Sequence, residues 1–146
     1  LAKDANCLKN NAAPIIMTPH PGEAADLLNI PIKEVQQDRI NSAKKLVGMY
    51  SATVVLKGYG TIIANKEELY ICEEGGPELA TGGTGDILAG LIGGLVSQGL
   101  SSLNACLLAV AVHGKAGSQF KLENGINGLA ASELIPYIRK TLNKKR

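Results

Sequence analysis

A glycine-rich segment at 80–90 constrains this chain more than any other part of its sequence. It reads Ala-Thr-Gly-Gly-Thr-Gly-Asp-Ile-Leu-Ala-Gly, and an acidic residue thus stands between the loop and an apolar run. A glycine-rich loop that leads into a helix leaves backbone N–H groups unpaired at the helix start, and these donors, with the positive end of the helix dipole, bind anions. We therefore predict that Gly83, Thr84 and Gly85 form an anion hole. Asp86 would stand at its mouth, where a carboxylate can take a proton from a hydroxyl group.

Two better-known phosphate-binding patterns do not fit this loop. The dinucleotide fingerprint needs a further glycine where Leu88 stands, and the P-loop needs a lysine where Asp86 stands. The structural alternative is a tight turn before a buried helix. That helix carries apolar residues on one face and glycines on the other, and each mid-helix glycine costs about 1 kcal/mol relative to alanine. We expect the glycines to admit a neighbouring backbone, with the helix buried on both sides.

Short apolar segments alternate with amphipathic ones along the rest of the chain, which predicts an α/β fold. The segment 52–56 (Ala-Thr-Val-Val-Leu) is mostly apolar and is typical of a fully buried strand, which favours a parallel sheet. A strand is also predicted at 15–17, and a hairpin from 62–64 and 69–72. Helices are predicted at 24–28, 38–50, 103–117 and 132–143, with Ser101 or Ser102 capping the third and Ser132 the fourth.

The composition excludes several classes of protein. The chain has 146 residues, enough for one domain with a core, and a net charge of +2 without a basic stripe that could bind nucleic acid. No apolar run is long enough to span a membrane. Its three cysteines show no metal-ligand spacing, so a structural zinc site is not expected. Free thiols indicate a reducing compartment, and we predict a cytoplasmic location.

Polar residues outside the loop have both functional and structural interpretations. Lys57 follows the predicted buried strand and precedes Gly58-Tyr59-Gly60, where the lysine could balance phosphate charge or the glycines could simply turn the chain. His20 lies between two prolines and could be a helix cap, a packing residue or a site residue. Glu23 could cap the following helix or approach Mg²⁺ through water.

Two further residues also allow a structural or a functional interpretation. His113 lies mid-helix among apolar residues, which favours a structural role. Asp4 could be exposed or could face a phosphate.

Five motifs occur in an order that resembles one family. They are 18–23 (Thr-Pro-His-Pro-Gly-Glu), 57–58 (Lys-Gly), 79–86 (Leu-Ala-Thr-Gly-Gly-Thr-Gly-Asp), 113–117 (His-Gly-x-Ala-Gly) and 128–132 (Gly-Leu-x-Ala-Ser). Together they resemble the bacterial ADP-dependent NAD(P)H-hydrate dehydratases of the ribokinase-like superfamily. The motif at 18–23 is the specific one, because many ribokinase-like kinases share the glycine loop with its acid. The segment 74–78 departs from the Gly-Asn-Pro-Gly that is usual there.

The resemblance implies a fold and an extent. The expected architecture is a ribokinase-like three-layer α/β/α sandwich with a mostly parallel central sheet. The family's domain is nearly twice as long as this chain. Residues 1–146 are therefore expected to be the C-terminal portion of a single ribokinase-like domain, without its N-terminal half.

The resemblance also implies an activity, the ADP-dependent repair of hydrated NADH and NADPH. ADP, or ATP, would be the co-substrate with Mg²⁺, and the partners would be a second copy of the chain and an associated or fused NAD(P)H-hydrate epimerase domain. Asp86 would be the catalytic base, His20 would touch the hydrate and Glu23 would take the place of the magnesium-associated acid. The residues expected to bind nucleotide are Lys57, Gly58, Tyr59, Gly60, Thr61 and Gly85. Two alternatives stay open, a ribokinase-like kinase for a vitamin or sugar and a non-catalytic fragment that binds a nucleotide or a partner.

Overall fold

A computed structural model of the chain describes residues 13–143. Asp4 and Cys7, one of the three cysteines, lie outside these residues. The chain divides into two compact units, Leu1–Ile71 and Cys72–Arg146.

The first unit holds a four-stranded mixed sheet in the order β1-β2-β3-β4. Strand β1 pairs parallel with β2, which pairs antiparallel with β3. Strands β3 and β4 are neighbours joined by a turn, in which Asn65 Oδ1 accepts hydrogen bonds from the N–H groups of Glu67 and Glu68. The predicted α/β class and hairpin are confirmed, and the parallel ladder within 13–143 is limited to β1 and β2. The elements are β1 (Ile16–Met17), α1 (Pro21–Leu28), α2 (Ile32–Gln37), α3 (Arg39–Tyr50), β2 (Thr53–Leu56), β3 (Thr61–Ala64) and β4 (Leu69–Cys72).

The core of the first unit lies between the sheet and its helices. All four residues of β2 are buried, as the apolar segment predicted. Helix α3 places Ala43, Leu46 and Val47 in the same core cluster as Val54. Ile40, near the start of the same helix, is 42% exposed. Helix α3 begins at Arg39, and the residues of its buried face, such as Ala43 and Leu46, lie further along the helix.

The second unit is helical. Its elements are a 3-10 helix (Pro77–Leu79), α4 (Thr84–Ser97), α5 (Ser102–Asn124), a second 3-10 helix (Ala131–Glu133) and α6 (Leu134–Leu142). Helix α5 continues to Asn124, seven residues beyond its predicted end, because the glycines near position 117 make room for neighbouring chain rather than ending the helix. Its core cluster consists of Val112, Ala116, Phe120, Leu129, Leu134 and Ile138.

The two predicted serine caps have different outcomes. Ser101 caps α5, since its Oγ accepts a hydrogen bond of 3.3 Å from the N–H of Asn104. Ser132 does not cap α6, because it lies inside the second 3-10 helix, where Glu133 Oε2 accepts from the N–H of Ala130 at 2.8 Å. Pro136 falls in the first turn of α6, where its missing N–H costs no helical hydrogen bond.

The glycine face of α4 does not have the predicted neighbour. Leu88, Ile92 and Leu95 are buried on the apolar face, whereas Gly93 and Gly94 on the opposite face are exposed. A Cβ atom built on either glycine would meet no atom of the described part of the chain within 4 Å. Within residues 13–143, the expectation that α4 is buried on both sides is therefore wrong.

Between residues 13 and 143, none of the helices combines the length and the apolar character that crossing a membrane requires.

Candidate active site

The glycine loop ends at the N-terminus of α4 in the second unit. Gly83 is the N-cap residue with φ of 86°, and a Cβ atom there would also lie only 3.1 Å from the Cβ of Ala131. Both facts require glycine. Within residues 13–143 no side chain caps this helix, and the N–H groups of Asp86 and Ile87 already donate to the Gly83 carbonyl. The N–H groups of Thr84 and Gly85 are therefore the donors left at the helix start, where an anion is favoured.

Thr84 fixes the shape of this loop. Its side chain is buried, and Oγ1 lies 2.8 Å from the carbonyl oxygen of Leu79 and 2.9 Å from that of Thr81. A hydroxyl held by two loop carbonyls cannot also reach a ligand outside. Of the predicted anion-hole residue Thr84, only the backbone N–H is therefore available to an anion.

Asp86 occupies the first turn of α4 and is exposed. An acidic residue in a first turn is favoured by the helix dipole. Among residues 13–143, its carboxylate forms no ion pair. The carboxylate therefore stands free beside the amide donors of the loop.

His113 supports the loop from helix α5. Its side chain is buried, and Nε2 lies 2.9 Å from the carbonyl oxygen of Thr84, so Nε2 carries the proton and donates it. Burial lowers the pKa of His113, and the hydrogen bond to Thr84 opposes this in part. His113 thus has the structural position that the sequence favoured.

This lowered pKa predicts acid sensitivity of the fold. The native state keeps His113 neutral, whereas the unfolded chain takes up a proton below about pH 6.5. Protonation therefore favours unfolding, and the free energy of unfolding should fall as pH drops below that value, by at most about 1.4 kcal/mol per pH unit. Urea midpoints of the wild type and His113→Gln, compared at about pH 7.5 and about pH 5.5, measure this. An equal acid-induced loss in both proteins would assign the sensitivity to other groups.

The segment before the loop packs tightly on α5. A Cβ atom at Gly114 would lie 2.6 Å from the carbonyl oxygen of Glu74, and one at Gly117 would lie 2.7 Å from Cγ of Leu79. Glu78, which lies between Glu74 and Leu79 in the chain, is 3% exposed, and neither of its carboxylate oxygens has a hydrogen-bond partner within the described residues. The approach to the glycine loop is thus set by close contact with helix α5.

His20 and Glu23 form a reciprocal cap at the start of α1 in the first unit. His20 Nδ1 accepts from the N–H of Glu23 at 3.1 Å, and Glu23 Oε2 accepts from the N–H of His20 at 2.7 Å. The capping interpretations of both residues are confirmed. Because Nδ1 is an acceptor, the neutral ring carries its proton on Nε2, and the side chain of His20 remains 56% exposed.

Lys57 joins this pair from the end of β2. Its N–H donates to the carbonyl oxygen of Pro19 at 2.9 Å, which ties the two motifs together. Its Nζ lies 3.7 Å from Glu23 Oε2. The first unit therefore brings together the predicted residues His20, Glu23 and Lys57, with Gly58, Tyr59, Gly60 and Thr61 following directly in the chain.

An open cavity of about 350 Å³ lies beside this group. Thr18, Pro19 and Glu23 of the motif at 18–23 line it, together with Asp26 of helix α1. The specific motif of the sequence therefore borders a space where a ligand could bind.

The residues fit a metal ion only in one limited way. No group of three or more histidine, cysteine, aspartate or glutamate side chains that could hold a metal occurs in the described part of the chain. Mg²⁺, however, keeps several waters and uses one or two carboxylates together with substrate phosphates. Glu23 Oε2 is engaged by the cap, so Oε1 is the oxygen that could contact such a hydrated ion.

Arg39 makes hydrogen bonds to the segment 56–59 that were not predicted from the sequence. From the first residue of α3, its guanidinium donates to the carbonyl oxygens of Leu56, Lys57 and Tyr59. A cation at a helix N-terminus opposes the helix dipole. This unfavourable placement is the one local signal that could have identified Arg39, because its partners lie 17 to 20 positions away in sequence.

Comparison with known proteins identifies the family. A family model described as NAD(P)H-hydrate dehydratase matches residues 1–140. The chain is 46% identical to a bifunctional NAD(P)H-hydrate repair enzyme of Coxiella burnetii, over 88% of this chain and 26% of that protein. It is 42% identical to the ADP-dependent (S)-NAD(P)H-hydrate dehydratase of Neisseria meningitidis, over 89% of this chain and 45% of that protein. The chain thus spans less than half the length of these curated relatives.

Solved structures give the same result and identify the fold. An ADP/ATP-dependent NAD(P)H-hydrate dehydratase from Bacillus subtilis, co-crystallised with ATP/Mg²⁺ and soaked with CoA, has a TM-score of 0.85 and 33% identity, over 90% of this chain and 49% of that chain. A ribokinase-like superfamily protein from Enterococcus faecalis has a TM-score of 0.73 and 29% identity, over 89% and 46% of the two chains. The predicted ribokinase-like fold is confirmed. With a family model matched to 140 of its 146 residues, the chain belongs to the NAD(P)H-hydrate dehydratase family.

Proposed function

We propose that this chain carries the phosphoryl-transfer site of an enzyme that restores hydrated NADH and NADPH by ADP-dependent dehydration. The observation that carries this proposal is the start of α4, where an uncapped helix N-terminus and an exposed carboxylate, Asp86, stand within one turn. Such a helix start favours the phosphoryl group, and a carboxylate beside it favours the attacking hydroxyl. The likeness to the Neisseria enzyme supports ADP as the co-substrate.

The proposed reaction has two steps. The hydroxyl oxygen of the hydrate bonds to the terminal phosphorus of ADP as the bond to AMP breaks, and Asp86 accepts the hydroxyl proton while the amides of Thr84 and Gly85 stabilise the phosphoryl oxygens. The nitrogen lone pair of the reduced ring then expels phosphate by breaking the carbon–oxygen bond. Loss of a proton from the adjacent carbon restores the ring double bond. The products are NAD(P)H, AMP and phosphate.

We assign the first unit to ligand binding on the same grounds. Lys57, Gly58, Tyr59, Gly60 and Thr61 would hold the nucleotide, because a lysine and two flexible glycines suit a close approach by phosphates. His20 would contact the hydrate through its exposed edge. Glu23 would contact a hydrated Mg²⁺, which supplies charge neutralisation at the phosphates when bound. The ATP/Mg²⁺ in the Bacillus crystals supports this nucleotide and metal chemistry.

The setting of the enzyme follows from its relatives. We propose that residues 1–146 form the C-terminal portion of one ribokinase-like domain, that copies of the protein associate, and that an epimerase acts with it or is fused to it. The bifunctional repair enzyme of Coxiella supports the last point. Cys72 and Cys106 are free thiols, which supports a cytoplasmic location.

One experiment tests this function. Protein expressed from the full reading frame is mixed with hydrated NADH and ADP, and the near-ultraviolet absorbance of the restored ring is followed together with AMP and phosphate. We expect one AMP and one phosphate for each NADH restored. A small-molecule kinase would leave the hydrate unchanged and phosphorylate an alcohol, and a non-catalytic protein would bind ADP without turnover, so either result contradicts the proposal.

A further inference from the structure

Arg39 binds three backbone carbonyls at the end of β2 and in the segment that follows it. Its Nη2 donates to the carbonyl oxygens of Leu56 at 3.1 Å and Lys57 at 3.2 Å, and its Nη1 donates to that of Tyr59. Thr61 Oγ1 donates to the remaining carbonyl, that of Gly58, at 3.0 Å. Every carbonyl from 56 to 59 is therefore fixed by a side chain.

Gly58 and the guanidinium are fitted to each other. A Cβ atom at Gly58 would lie 2.9 Å from Arg39 Nη2, and its φ of 141° is strained for any other residue. The absence of a side chain at Gly58 thus allows the guanidinium to lie directly on the backbone. These hydrogen bonds offset an unfavourable position of the charge, because Arg39 is the first residue of α3, where the helix dipole disfavours a cation.

The fixed carbonyls determine where the amides of this loop point. In a planar trans peptide, the carbonyl of one residue and the N–H of the next point in opposite directions. Because Arg39 binds the carbonyls of Lys57 and Tyr59, the N–H groups of Gly58 and Gly60 are directed away from the guanidinium. Backbone amides that point to the same side of a loop can together bind an anion.

We infer that Arg39 is a positioning residue that turns the Gly58 and Gly60 amides toward a phosphate of the bound nucleotide. The inference rests on the proposed function of this loop as the nucleotide site. Arg39 acts through the backbone rather than by contact with the ligand, because its side-chain hydrogen bonds within residues 13–143 go to backbone carbonyls at the end of β2 and in the loop. A loop without it would have to be ordered by the nucleotide, which weakens binding.

The test compares Arg39→Gln with Lys44→Gln, in protein from the full reading frame. Both variants remove one positive charge from α3, but the exposed Lys44 has no ion pair in the described part of the chain. We expect the KM and Kd for ADP to rise about 10-fold or more in Arg39→Gln, since charge-assisted hydrogen bonds are lost. The kcat at saturating ADP should change by less than about threefold. Lys44→Gln should match the wild type.

Two further variants separate positioning from general stability. Arg39→Lys keeps the charge and some donors, so its KM for ADP should lie between those of the wild type and Arg39→Gln. Arg39→Ala should recover ADP affinity when guanidinium ion is added at concentrations that leave the protein folded. Unchanged ADP affinity in Arg39→Gln overturns the inference, and so does a parallel loss of kcat and ADP affinity that follows thermal stability.

ADP binding is titrated directly, which keeps this inference separable from the proposed function. A wild-type protein that binds ADP but restores no NADH refutes the function alone, and weaker ADP binding by Arg39→Gln still supports the positioning role. A wild-type protein that does not bind ADP overturns both.

Discussion

Replacing Asp86 by asparagine is expected to lower the turnover of hydrated NADH by about 10²–10⁴-fold, the usual contribution of a general base. This corresponds to roughly 3–5 kcal/mol of transition-state stabilisation. Asparagine keeps the size of the side chain and its place in the first turn of α4, but it cannot accept the hydroxyl proton. The affinity for ADP should change little, because the backbone amides of Thr84 and Gly85 are unaffected.

The measurement is ADP-dependent recovery of NADH absorbance, alongside ADP titration of each protein. Glu67→Gln is a matched control, because it neutralises another exposed acidic residue in the turn between β3 and β4. Near-normal turnover by Asp86→Asn would exclude Asp86 from the chemistry. An inactive variant that had also lost ADP affinity would instead make Asp86 a structural part of the loop.

The features that the sequence predicted correctly are those set by local pattern. The apolar segment at 52–56 became a buried strand, and the glycine-to-acid transition at Asp86 became a helix start. His20 and Glu23 are three residues apart beside two prolines, so their capping box follows from local spacing. Burial, capping and turn chemistry all act within a few residues, and a single sequence carries them.

The features that it missed depend on contacts between distant segments. Arg39 contacts backbone carbonyls 17 or more positions away, and the sequence of its own helix does not indicate this partner. Helix α5 does not end at Gly117, because this glycine accommodates Leu79 from a segment far away in sequence. The glycines of α4 led to the opposite error, since the same residue type there faces no atom of the described chain. A glycine inside a helix can mark either a close contact with a neighbouring segment or an open surface, and the sequence alone does not distinguish the two.

Gly114→Ala is expected to destabilise the protein by about 1–3 kcal/mol or more, the cost of overpacking a close contact. The added Cβ atom would lie 2.6 Å from the carbonyl oxygen and 2.7 Å from the carbonyl carbon of Glu74, and backbone atoms cannot rotate aside as a flexible side chain can. Gly75 also packs against this glycine, since its own Cβ would be 3.1 Å from the Cα of Gly114. Relief of the clash must therefore move the segment that leads to the glycine loop.

Gly48→Ala makes the same chemical change but is expected to have the opposite effect on stability. Gly48 lies in helix α3 and is exposed, and a Cβ built on it would meet no atom of the described residues within 4 Å. Alanine there should stabilise the protein by about 0.5–1 kcal/mol, because it restricts the unfolded chain and favours the helix. Urea unfolding of the wild type and both variants measures the two effects, with an unchanged m-value as the condition for comparing midpoints. If Gly114→Ala were as stable as Gly48→Ala, the backbone of Glu74 could not pack on α5 as described, and the approach to the glycine loop would have to be held by other contacts.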